Sequence, residues 1–174
     1  MLSQRFPQDT VVTSLIARDR WHPFPTTTER DAWEELASDV RRSRIARGED
    51  DLAEDWEVLP AALFLEYARS GNRSNYEKAH FRRRGRLTNL VVAECMEGKG
   101  RFMDAIVDGV WLTCEETYWG IPAHVGVQQA GKGLPDAVEP TVDLFAAETV
   151  ALLAWTLYLL EPALNQVSPL VTER

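Results

Sequence analysis

The chain has 174 residues and a formal net charge of −8, with 45% hydrophobic and 9% aromatic residues. That composition suits one globular domain with a sizeable core and excludes a disordered chain. The acidic balance argues against a general nucleic-acid surface, which needs a basic stripe, and makes an acidic ligand depend on a local basic pocket.

Cys95 and Cys114 are the only cysteines, so no disulfide framework is expected. His22, His80 and His124 are scattered and show no zinc spacing, and neither a metal nor a cofactor is expected. The N-terminus lacks a basic start followed by a long apolar run, so no signal peptide is read. The most apolar stretch, 144–160, contains Glu148 and is short for a membrane span. The expectation is a soluble cytoplasmic protein with no membrane partner.

Residues 1–28 read as an irregular N-terminal segment. Prolines in Trp21-His22-Pro23-Phe24-Pro25 keep their predecessors out of helix, and Trp21 and Phe24 are expected to pack on the domain edge. Thr28 with Asp31 resembles a capping box and opens a helix over about 29–46, with Trp33, Leu36, Ala37 and Val40 on one face. Gly48-Glu49-Asp50-Asp51 reads as a break. Leu63, Phe64 and Tyr67 recur at helical spacing, with Gly71 as C-cap. Ser74 and Glu77 form a capping box for a long helix reaching about Glu97, ended by Gly98-Lys99-Gly100. A further helix from Arg101 is expected to bury Phe102, Ile106, Val110 and Trp111.

That helix ends in the run with the most chemistry. Glu115, Glu116, Tyr118, Trp119 and His124 fall within eleven positions, 114–124, and Gly120 and Pro122 break the helix there. A loop over 119–140, rich in glycine and proline, is long enough to be functional. The next helix, 141–161, is apolar almost all round and is expected to be an inner one. Ser168-Pro169 reads as an N-cap with proline at the first helical position, yet only five residues follow it, to Arg174. This suggests the front part of a longer protein, or a domain excised from one. No strand pattern competes, so the fold class is all-α, built from antiparallel helical hairpins.

The series Gly71-Asn72-Arg73, Tyr76, Leu87, Leu90-Val91, Glu97 to Phe102 and Asp108-Gly109-Val110-Trp111 resembles heparinase II/III-like proteins. So do Cys114 to Trp119 with Pro122-Ala123-His124, and the run from Asp143 to Thr149. The resemblance covers about Trp21 to the end, and its most specific part is Glu-Glu-Thr-Tyr-Trp with Pro-Ala-His. It implies the front half of an (α/α) toroid, so residues 29–174 would be an incomplete toroid domain, truncated at its C-terminus. It also implies binding and β-elimination of an acidic poly- or oligosaccharide. That reaction needs a group to neutralise the uronate carboxylate, a base for the C5 proton and an acid for the leaving oxygen. The tyrosine and second histidine of such lyases would lie beyond Arg174, so this piece is not expected to catalyse alone.

His124 is the candidate for neutralising the carboxylate or moving the proton, since imidazole titrates near neutrality; a structural hydrogen-bonded histidine is the alternative. Glu115 and Glu116 point about 100° apart on a helix, so one of them, Glu116 by preference, faces the cleft. Trp119 stacks on a sugar or plugs the core, and Tyr118 hydrogen-bonds a sugar. Glu148, in an apolar helix, lines the site or pairs with Arg73 or Arg101. Asn72, Arg73 and Tyr76 line the cleft or fix a turn. Arg82, Arg83, Arg84 and Arg86 grip anionic groups or, the preferred reading, form a solvated face. Two rivals stay open. A glycoside hydrolase on a related toroid would pair Glu116 with Glu148. A non-catalytic binding or scaffold module would have no cleft. Uncovered helix faces would also suit a homodimer.

Overall fold

The computed structural model describes residues 2–17, 20–139 and 141–174; Met1, Arg18 and Asp19 of the expected N-terminal segment, and Pro140 at the end of the expected loop, lie outside them. Among the described residues every regular element is helical. The chain begins with two short helices, α1 (Leu2–Arg5) and α2 (Gln8–Ser14), where the sequence suggests irregular chain. In α2 the Thr13 and Ser14 hydroxyls donate back to the carbonyls of Asp9 and Thr10, and none of its residues is buried. Local hydrogen bonding alone shapes it. Trp21 and Phe24 do pack on the domain edge, their rings 6.2 Å and 5.9 Å from that of Trp155.

The single helix expected over 29–46 is two, α3 (Arg30–Glu34) and α4 (Ser38–Leu52), separated where Ala37 turns extended (ψ 132°). Neither α3 nor the long helix α7 uses its capping box: their caps are Glu29 and Arg73, without side-chain bonds. Helix α4 runs straight through the break expected at Gly48. The glycine serves there as an absent side chain, since a Cβ would stand 2.3 Å from that of Ala93 on α7. Just beyond, buried Asp51 accepts from Arg82 and Asn89, each at 2.7 Å. Arg41 donates to Met96, Gly48 meets Ala93 and Asp51 meets Asn89, so α4 and α7 run antiparallel.

After α5 (Ala61–Phe64) and α6 (Glu66–Ser70), Gly71 takes the left-handed cap the sequence predicts, at φ 77°. Helix α7 (Ser74–Glu97) is the spine of the fold, closed by left-handed Gly98. Its last carbonyls are satisfied from outside: Arg30 donates to Cys95 and Met96. The Glu94 carboxylate accepts from the backbone of Gly100 and Phe102, turning the chain into α8 (Met103–Cys114). Leu87, Leu90, Phe102, Ile106, Leu160 and Leu164 form the centre of the core, whereas Trp111, on the outer side of α8, is exposed and not buried as expected.

A 3-10 helix (Pro122–Val127) follows α8, and a turn region after it hangs on one buried side chain. The Gln128 amide donates to the carbonyls of Asp136 and Glu139 and accepts from the amide of Asp136. The chain closes with α9 (Leu144–Val167) and α10 (Pro169–Thr172), the latter capped by the Ser168 hydroxyl as its sequence predicts. Helix α9 continues past its expected end, through Pro162. It is not the inner helix its composition suggests. Only Thr149, Thr156, Leu160 and Leu164 are buried, while Leu144, Val150, Trp155 and Val167 are exposed. Apolar content reports what a helix can bury, and here too few helices surround α9 to cover it. At 24 residues it is long and apolar enough, by length and composition only, to cross a membrane, so shortness does not argue against a span.

Candidate functional site

One side of α7 carries Tyr76 and, four, seven and eight residues on, His80, Arg83 and Arg84, so that each lies one or two turns from Tyr76. The antiparallel return of α8 brings Glu116 against this face. Its Oε1 accepts from Arg83 and Arg84, both at 2.7 Å, and Oε2 from Arg84 at 2.5 Å. All three side chains are nearly buried, with 7%, 12% and 6% exposure for Arg83, Arg84 and Glu116. Arg83 also donates to the Glu57 carbonyl. Two cations thus share one carboxylate in a poorly hydrated place, where charge-assisted bonds are strong.

Neighbouring groups feel this cluster. Burial, then the Glu116 charge, raises the Tyr76 phenol to about 12. Burial, then Arg84 and Arg83, lowers His80 to about 3, so its imidazole is neutral. Burial, then Asp143, raises Tyr118. Both phenols therefore stay protonated near neutrality, able to donate a hydrogen bond and unable to act as anionic bases.

A pocket of about 440 Å³ opens over the cluster, lined by Tyr76, Arg83, Glu115, Glu116 and Tyr118 together with Phe64, Leu112 and Pro135. Phe64 and Tyr76 of that lining form a small buried cluster with Val125, and Tyr118 packs against it. Val125 sits on the 3-10 helix, next in sequence to His124. The His124 Nδ1 lies 2.7 Å from Asp143 Oδ2, and the ring stacks on Phe145 at 5.4 Å and 17°. Asp143 is the N-cap of α9, its Oδ1 accepting from the backbone of Phe145 and Ala146. The His124 side chain remains 37% exposed.

The structure gathers part of the expected site. Tyr76, Glu115, Glu116 and Tyr118 line one pocket, with His124 on the adjoining helix. Glu115 is exposed and paired with Arg174. Trp119 turns the other way: its Nε1 donates to the Thr113 carbonyl at 2.7 Å, and the indole lines a separate apolar pocket of about 480 Å³ with Cys114 and Leu164. Asn72 is exposed and accepts from the Asn75 backbone, and exposed Arg73 pairs with Glu77, so both serve the turn into α7. Glu148 is exposed, not a buried charge in need of a partner. Arg101, one of the two arginines expected to reach it, is held by Glu97 and Glu49. Glu148 lines a third small cavity, with His80 and Arg84, and does not face Glu116 across one cleft. Glu116 and Glu148 thus line different cavities.

Four participants escape the sequence reading: Arg83, Arg84, His80 and Asp143. The arginine run reads as a solvated face, yet Arg83 and Arg86 are buried, the latter with its guanidinium 4.3 Å over the Trp56 ring. The spacing from Tyr76 to Arg84 was the available signal. Asp143 was hidden because the helix was expected to begin at Thr141. Among the described residues no group of three or more His, Cys, Asp or Glu side chains is arranged to hold a metal ion. The chain matches no protein-family model and no curated protein.

Proposed function

We propose that the chain is the helical, saccharide-binding part of a polysaccharide-lyase-like protein, an incomplete (α/α) toroid that binds an acidic polysaccharide undergoing β-elimination. The observation that carries this reading is His124, part-exposed, paired with buried Asp143 and carried on a short helix beside a pocket with protonated phenols and a buried guanidinium. In β-elimination the base takes the C5 proton of the uronate, the C4–O bond breaks, a C4=C5 double bond forms and the departing oxygen gains a proton. His124 offers an imidazole for the carboxylate or for the C5 proton. Tyr118 lines the neighbouring pocket with its ring, its hydroxyl buried. Glu116 keeps the arginines and the pocket wall in place and is not the base, because both its oxygens are engaged by guanidinium groups.

Calorimetric titration tests this. Uronate tetrasaccharides are expected to bind, neutral glucan tetrasaccharides are not, and His124→Ala is expected to weaken binding about tenfold, or roughly 1.4 kcal/mol, with an unchanged melting temperature. Equal binding of neutral and acidic sugars, or loss of fold in the variant, would contradict it. The exposed apolar face of α9 supports a second proposal, a homodimer closed over that face. Sedimentation should then show dimers that Val150→Glu disperses, and monomers at every concentration would refute it.

A further inference from the structure

The two oxygens of Asp143 do different work. Oδ1 is held by two backbone N–H groups at the start of α9, and Oδ2 is left facing the His124 Nδ1 at 2.7 Å. The Asp143 side chain is 2% exposed, so water does not compete for that oxygen. A carboxylate only accepts, and so the nitrogen it faces must carry the proton. The Phe145 ring, two residues beyond the cap, stacks on the imidazole with the ring planes 17° apart. We propose that Asp143 is a positioning residue that holds neutral His124 as its Nδ1–H tautomer, presenting Nε2 as the lone pair available to a ligand proton. This rests on the reading of His124 as a functional group. The imidazole's orientation is thereby tied to the N-cap of the longest apolar helix: one carboxylate starts α9 and aims the histidine.

Sequence chemistry supplies a variant that separates the two tasks. Asn caps helices as well as Asp, so Asp143→Asn preserves α9, but its amide would donate toward Nδ1 and drive the proton to Nε2. Asp143→Ser also caps, and is too short to reach the ring. Nitrogen-15 NMR of the free chain, with imidazoles neutral, reads the tautomer directly. The wild type is expected to show Nδ1–H at His124. The asparagine variant should show predominantly Nε2–H, and the serine variant should lose the preference for Nδ1–H, with helical circular dichroism unchanged in both. An Nε2–H tautomer in the wild type, or an unaltered tautomer in the asparagine variant, would overturn the proposal. Because no saccharide enters the measurement, its outcome is independent of the binding test. Failure of acidic sugars to bind would sink the proposed function and leave Asp143 positioned as stated.

Discussion

Glu116 shows how burial reassigns a residue. Of the adjacent pair Glu115 and Glu116, it was the one expected to face a cleft. In the fold it compensates two guanidinium groups that α7 drives into the interior. Removing one partner of such a cluster leaves charge uncompensated, which costs about 3–5 kcal/mol. Glu116→Gln is expected to lose stability of that order in urea denaturation; a loss below about 1 kcal/mol would mean that the arginines are better solvated than described. His80 makes a second prediction. Its folded value is lowered from 6.5 to about 3. Between those values the unfolded chain binds a proton that the folded chain refuses, so stability rises with pH there. The contribution is present above the unfolded value and is lost as pH falls from about 6.5 toward 3. Melting temperature should drop over that window, and His80→Phe should flatten the drop; an unflattened drop would assign it to the carboxylates. Neither role was readable in sequence, because an arginine run and a lone histidine look alike whether solvated or buried until a second helix covers them.

At the scale of elements, periodicity was a sound guide to α7 and α8, and the left-handed caps at Gly71 and Gly98 follow from glycine's freedom at positive φ. Gly48 was misread because glycine has two uses. As a conformational break it would end α4; as a bare backbone it lets α4 and α7 approach. The two uses predict opposite signs. Gly→Ala at an ordinary helical site stabilises by about 0.5–1 kcal/mol. Here the new methyl meets Ala93, and Gly48→Ala is expected instead to destabilise by about 1–3 kcal/mol, the usual range for overpacking. A more stable variant in thermal melts would show that the helices lie further apart than described. The start of α9 was missed by three residues for a related reason: apolar content does not mark a cap, whereas Asp143 with its two backbone bonds does.

For the whole molecule, an all-helical fold was legible from repeated 3.6-residue patterns and the lack of alternating ones. The exposure of α9 was not, since amphipathicity cannot say whether neighbours exist to cover a face. Nor could spacing alone divide Tyr118 from Trp119, which enter different pockets although adjacent in sequence. The same three-dimensional sorting sets His124 against Asp143 and Phe145, on a helix whose Val125 packs with Tyr76, and leaves Glu148 outside the pocket of Tyr76 and Tyr118. The most direct test of that arrangement is a titration of the isotope-labelled chain with a uronate tetrasaccharide, followed by NMR. Resonances of Tyr76, Tyr118, His124 and the 3-10 helix (Pro122–Val127) should shift together with one dissociation constant. Shifts confined to Trp119 and the outer face of α9, or none at saturating sugar, would contradict the account.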